Sequence, residues 1–113
     1  MSRKKQRKPK ADNYTSHHIL FTRTEWNKGF KQMLRKEFVY QIPDEVHRDL
    51  HQTVGKVPSL DEDEARFLWE RYKELDHELD IFEAFEWLMQ NSPNAGFAMA
   101  IMAQYGFLRN YMG

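Results

Sequence analysis

Hydrophobic and polar residues follow one another in blocks that predict two short strands with a helix between them. The stretch "YTSHHILFT" (14–22) mixes β-branched, aromatic and other apolar residues, which favours a strand. "TEWNKGFKQMLRKE" (24–37) predicts a loop that leads into a short helix with apolar residues on one face. "FVYQI" (38–42) predicts a second strand, which Pro43 ends. The first third of the chain is therefore expected to contain a strand, a helix and a second strand.

A second helix is predicted directly after this strand. Pro43 opens "DEVHRDLHQTV" (44–54), and acidic residues fall in the first turn, where they interact favourably with the helix dipole. Val46 and Leu50 give this stretch an apolar stripe, and Gly55 is expected to close it.

The rest of the chain, residues 57–113, is predicted to be mainly helical. Ser59 followed by Glu62 is a capping-box pattern, and the amphipathic stretch behind it forms either one helix or two. Its apolar residues recur at spacings of four and three and so share a face: Leu68, Tyr72, Leu75, Leu79 and Phe82. Ser92 and Pro93 are expected to start a last helix. Residues 95–111 are apolar on nearly every side, which predicts a buried core helix, with a homodimer contact as the alternative.

Length and composition indicate one packed domain, and the predicted strands and helices place it in the α+β class. The chain has 113 residues, of which 41% are hydrophobic, and no apolar run approaches the length of about 20 residues that crosses a bilayer. Residues 1–13 are expected to form a basic, disordered tail. Residues 14–113 then form a single domain, with a strand-containing unit (14–56) followed by a predominantly helical, acidic part (57–113). The absence of cysteine fits the cytoplasm and leaves only His, Asp and Glu as metal ligands.

The net charge of zero conceals two oppositely charged halves. Residues 1–60 contain 13 Lys and Arg against 6 Asp and Glu, a balance of +7, and residues 61–113 contain 4 against 11, a balance of −7. Such a division indicates that one half meets a charged partner, or that the halves screen each other within the fold.

The histidines form the clearest chemical pattern. His47 and His51 are four residues apart on the predicted helix, so they project from one face and can converge on one ion. One of the adjacent His17 and His18 can supply a third ligand, since neighbouring strand residues point to opposite faces. Three protein ligands of this kind suit zinc or another divalent cation. The alternative is that these histidines lie on solvated faces, which is the interpretation we give to His77.

The pattern "HHIL", then a loop and strand, then "IPDEVHRDLH" resembles the ββα-metal finger of HNH (His-Me finger) nucleases, especially the colicin-type DNases. The resemblance covers about residues 14–54. It implies that His17, His47 and His51 are the metal ligands and that His18 is the general base of phosphodiester hydrolysis. The asparagine that the family carries in its second strand is missing, because "KEFVYQIP" has Glu37 and Phe38 near that place.

Two functions of different class follow. The whole chain is similar to small phage and prophage proteins, among which anti-CRISPR inhibitors of Cas9 include metal-binding members. This resemblance implies a metal-binding interaction protein that acts in a bacterial host cell, binds Cas9 or another basic nucleic-acid-binding protein and hinders DNA loading. The carboxylates expected to contact such a partner are Asp61, Glu62, Asp63, Glu64, Glu70 and Glu74. The alternative is an active metal-dependent HNH-type DNA endonuclease or nickase.

Overall fold

A computed structural model describes residues 13–20 and 29–112 of the chain. These residues form a two-stranded antiparallel sheet and five helices, which confirms the α+β class and the division into a strand-containing first half and a helical second half. The elements in chain order are β1 (Tyr14–His18), α1 (Gly29–Glu37), β2 (Val39–Pro43), α2 (Asp44–Thr53), α3 (Glu62–Tyr72), α4 (Ile81–Gln90) and α5 (Ala95–Met112). The tail expected over residues 1–13 lies, but for Asn13, outside the described residues.

The two strands pair antiparallel although α1 lies between them in the chain, and we call this pair of strands the hairpin. Its register determines which residues lie opposite His17 and His18. His17 lies opposite Tyr40 and His18 lies opposite Val39. Alternation along β1 buries His17 completely and leaves His18 half-buried on the other face. The backbone N–H of Ile19 donates to the carbonyl of Phe38 at 3.0 Å, so main-chain contact between the two segments extends one residue past the strand.

Helix α2 begins directly at the end of β2. Pro43 is its N-cap residue, and Asp44 and Glu45 occupy its first turn, as the sequence predicted. The helix ends at Thr53 and Val54, in extended conformation, is its C-cap residue. Gly55 directly follows this cap residue, close to the end that the sequence predicted, but the positive-φ glycine of the described residues is Gly29.

Two further helix starts differ from the sequence prediction. Helix α3 is capped by Asp61, whose side chain accepts from the backbone N–H of Glu64 at 2.8 Å in a complete capping box. Ser59 does not take this role. In the same way α5 starts at Ala95, because the side chain of Asn94 accepts from the backbone N–H of Phe97 at 2.8 Å. Each cap lies two residues beyond the expected one.

The amphipathic stretch after residue 60 forms two helices, which resolves the open alternative. Helix α3 ends at Tyr72, and α4 starts again after Asp80, whose side chain accepts from the backbone N–H of Glu83 in a second capping box. Of the predicted apolar face, Leu68 is buried and the other four residues are half-buried.

Helix α5 packs against α4 and α2, and the side chain of its Gln104 reaches His17 and Ile19. One of its faces is buried, and that face carries Phe97, Ile101, Gln104 and Leu108. The opposite face exposes Met99 (68%) and Met102 (57%) to solvent. The expected core helix is therefore confirmed for one side of α5, and the exposed side leaves the homodimer contact through 95–111 as a prediction. No helix among the described residues is long and apolar enough to cross a membrane.

Candidate metal centre

Two elements supply the candidate ligands. His17 lies near the end of β1, and His47 and His51 lie on consecutive turns of α2. Pro43 joins β2 to α2 with no intervening loop, so α2 lies against the hairpin and its histidines face β1. The buried residues Val46 and Leu50, each one position before a histidine, hold this face of the helix toward the core.

The three side chains each offer one ring nitrogen, and these nitrogen atoms lie within 4.8 Å of one another. The ring centroid of His17 is 5.3 Å from that of His47 and 5.6 Å from that of His51. The Nε2 atoms of His47 and His51 are 3.1 Å apart, so these two ring nitrogens face each other. The residues that the sequence nominated as metal ligands are therefore close enough to bind one ion.

The separation of the two nitrogens on α2 is close to that of two ligands of one tetrahedral ion. With zinc–nitrogen distances of about 2.0–2.1 Å, two tetrahedral ligands are separated by roughly 3.3 Å. The pair on α2 already has nearly this separation, at 3.1 Å. The ring nitrogen of His17 lies within 4.8 Å of this pair.

The electrostatic surroundings keep His17 in the neutral form that a metal requires. Burial lowers the pKa of His17 to about 4, with further lowering by the other histidines and an opposing effect of its hydrogen bond to Gln104. Burial also lowers the pKa of His51, as do the neighbouring His47 and Lys56. At neutral pH these imidazoles therefore have a lone pair to offer.

His18 lies beside this cluster but on the other face of β1. Its pKa is lowered by burial first, then by Arg35 in the last turn of α1 and by His47. It is therefore near enough to His47 for their charges to interact. Of the two residues before β2, Phe38 is buried in the core, and Glu37 accepts a hydrogen bond from the Tyr72 hydroxyl at 3.0 Å.

Gln104 is a member of the site that sequence reasoning missed. Its Oε1 atom is 2.9 Å from Nε2 of His17, and its amide N–H donates to the carbonyl of Ile19 at 2.9 Å. Gln104 is fully buried. Its two partners, Ile19 and His17, lie 85 and 87 positions earlier in the chain. The signal that could have revealed it is the single polar residue on an otherwise apolar stripe of α5.

The six carboxylates predicted to bind a partner lie on or next to α3, and among the described residues five of them have a hydrogen-bond or ion-pair partner. Asp61 and Glu64 form the capping box of α3. Glu62 accepts from the backbone N–H of Phe30 at 3.4 Å. Asp63 and Glu70 form ion pairs with basic residues three positions further along the helix, namely Arg66 and Lys73. Glu74 lines an open cavity of about 510 Å³ that Arg71 and Trp87 also line.

Carboxylates and an aromatic side chain share one open pocket at the start of α3. Asp61, Asp63 and Glu64 line this pocket of about 380 Å³ together with Phe67 and Pro93. Phe67 is 46% exposed. This arrangement offers an apolar surface bordered by negative charge, which we call the acidic pocket.

His77 lies outside the cluster, as expected. It is exposed between α3 and α4, where its ring contacts the carboxylate of Asp76 at 3.0 Å. This pair raises the pKa of His77 and lowers that of Asp76.

Comparisons with protein-family models, with curated proteins and with solved structures found no match for this chain.

Proposed function

We propose that this chain is a metal-binding interaction protein in which His17, His47 and His51 hold one divalent cation. Zinc is the first candidate for this cation. The observation that carries this proposal is the convergence of three histidine nitrogens within 4.8 Å. The three imidazoles favour zinc over the harder cations Mg²⁺ and Ca²⁺, which prefer oxygen ligands.

The position of the site supports a structural role for the ion. His17 is buried and tied to α5 through Gln104, whereas the other two ligands belong to α2. A bound ion therefore joins the hairpin and α2 directly and α5 through one hydrogen bond. In a small domain, such a link contributes to the free energy of folding.

The partner that we propose is a basic nucleic-acid-binding protein, with Cas9 as the first one to test. The acidic pocket supports this choice, because Phe67 and its neighbouring carboxylates can accept an Arg or Lys side chain by stacking and by charge. Binding there would compete with DNA for a positively charged surface and so hinder DNA loading.

The test of this partner is a binding measurement with matched variants. Phe67→Ala and Asp63→Asn alter the acidic pocket without removing the capping box of α3. Glu78→Gln removes one charge from an exposed position between the helices and serves as the control. Guide-loaded Cas9 is expected to bind the wild type and the control, and to bind both pocket variants more weakly. If Cas9 does not bind the wild type and its loading onto DNA is unchanged, the proposed partner is wrong. The proposal of a metal site does not depend on this result.

A second candidate function is metal-dependent hydrolysis of DNA. It is favoured by the presence of His18 near His47 and Arg35, where an imidazole could take a proton from water and a guanidinium could hold a phosphate. The ion would supply Lewis-acid stabilisation of negative charge on the phosphate.

A plasmid assay separates this candidate from the interaction protein. Supercoiled DNA is incubated with purified protein and Zn²⁺, Mn²⁺ or Mg²⁺, and His18→Ala is compared with His77→Ala. Metal-dependent nicking that only His18→Ala abolishes would support the nuclease. Intact plasmid under all three ions would leave the interaction protein as the proposal.

A further inference from the structure

The side chain of Gln104 makes two hydrogen bonds that define its orientation. Its amide nitrogen lies 2.9 Å from the carbonyl oxygen of Ile19, and its amide oxygen lies 2.9 Å from Nε2 of His17. A backbone carbonyl can only accept, so the group facing Ile19 must be the NH₂ group of the amide. The oxygen of Gln104 therefore faces His17, and this orientation follows from the chemistry of the partners.

The orientation of Gln104 in turn determines where His17 carries its proton. An amide oxygen can only accept a hydrogen bond, so Nε2 of His17 must be the donor. A neutral imidazole has a single N–H group, and its other nitrogen carries a lone pair. When Nε2 is protonated, the lone pair is on Nδ1.

The two histidines of α2 present the opposite nitrogen. Their Nε2 atoms are 3.1 Å apart and face each other. In a set of three ligands, these two histidines therefore offer Nε2, and His17 has only Nδ1 left to offer.

We propose that Gln104 is a positioning residue that fixes the tautomer and ring orientation of His17, so that the metal is bound by Nδ1 of His17 and by Nε2 of His47 and His51. This proposal rests on the proposed metal binding and adds the atoms that carry it out. Metal-bound histidines commonly donate their second N–H to a carbonyl or carboxylate oxygen, and losing that acceptor typically lowers metal affinity about 10- to 100-fold. Here the acceptor comes from α5, so the C-terminal helix would take part in building the site.

The first arm of the test needs only the wild-type chain. Long-range ¹H–¹⁵N correlation spectra of ¹⁵N-histidine-labelled protein distinguish the two ring nitrogens and show which one carries a proton. In metal-free protein at neutral pH, His17 is expected as the Nε2–H tautomer. After addition of zinc, Nδ1 of His17 should shift as the metal-bound nitrogen while Nε2 keeps its proton. Zinc on Nε2 of His17, or a metal-free Nδ1–H tautomer, would overturn the proposal.

The second arm uses variants of Gln104. Gln104→Met keeps the volume and removes the acceptor, and it is expected to lower zinc affinity about 10- to 100-fold. Gln104→Glu keeps an oxygen that accepts from Nε2–H, and its affinity should recover toward that of the wild type. Ile101→Val, on the same buried face of α5, controls for altered packing and should bind zinc as the wild type does. Equal zinc affinity in folded Gln104→Met and wild type would overturn the proposal, and if that variant does not fold, the wild-type spectra decide.

The two failures can be told apart. If the wild-type chain binds no zinc, the metal-binding proposal is wrong, and the tautomer of His17 in the metal-free protein still tests the role of Gln104. If zinc binds through Nε2 of His17, metal binding stands and the role of Gln104 is wrong.

Discussion

Replacement of His51 by alanine should remove zinc-dependent stability while hardly changing the metal-free protein. His51 is the exposed member of the three ligands, so its side chain contributes little to the core. Exposed substitutions of this kind usually change the free energy of unfolding by less than about 0.5 kcal/mol. The variant therefore separates the effect of a lost ligand from the effect of a damaged fold.

The expected magnitude follows from linkage between binding and folding. Free zinc at 100 times its dissociation constant stabilises the native state by about 2.7 kcal/mol. For a domain of this size, about 1 kcal/mol corresponds to roughly 4–8 °C in melting temperature, so zinc should raise the wild-type Tm by roughly 11–22 °C. If the loss of His51 weakens binding 100-fold, the same zinc concentration gives only about 0.4 kcal/mol.

The assay is thermal unfolding followed by circular dichroism, with chelator and with buffered zinc, for wild type, His51→Ala and His77→Ala. His77 is exposed and outside the cluster, so His77→Ala should respond to zinc as the wild type does. An equal zinc-induced rise in Tm for His51→Ala and wild type would refute the assignment of His51 as a ligand.

Three further predictions concern the fold that holds the site. Phe38→Ala should destabilise the protein by about 3–5 kcal/mol in urea unfolding, because the buried ring packs against Tyr72 and Trp87; a loss below about 1 kcal/mol would contradict this packing. Asp80→Ala should cost about 1 kcal/mol through loss of the capping box of α4, and an unchanged urea midpoint would count against that cap. Burial and nearby carboxylates raise the pKa of Tyr40 to about 12, so its contribution to stability is present below the unfolded pKa of about 10 and is lost as the pH rises toward 12. The free-energy difference between wild type and Tyr40→Phe should therefore shrink above pH 10, and a constant difference up to pH 12 would contradict the shift.

Local sequence patterns predicted the parts of the site that depend on local geometry. The spacing of His47 and His51 on a helix determines that both face one side, and the order of strand, strand and helix determines that this side meets the hairpin. Which of the two adjacent strand histidines joins them was not determined by the residues alone. That choice depends on which face of the hairpin α2 covers. In the structure, His17 is the strand histidine that lies close to His47 and His51.

Other features depend on competition between neighbouring residues that can cap a helix, or on contacts between residues far apart in the chain. The segments "SLDED" and "NSPN" each contain several residues that can cap a helix, so the pattern placed two helix starts two residues too early. Gln104 meets His17 across 87 positions, and only the docking of α5 on the hairpin creates this contact. A polar residue on a buried stripe indicates such a partner without identifying it.

The central claim is tested most directly by counting the metal ions that each chain binds. The 113-residue chain is purified without chelator or added metal, its zinc content is measured by elemental mass spectrometry, and the metal-free form is then titrated with zinc. We expect one zinc ion per chain for wild type and for His77→Ala, and a strongly reduced content for a variant with both His47 and His51 replaced by alanine. A wild-type chain that takes up no zinc in the titration, or that binds as much zinc as the double variant, would contradict the proposed metal site.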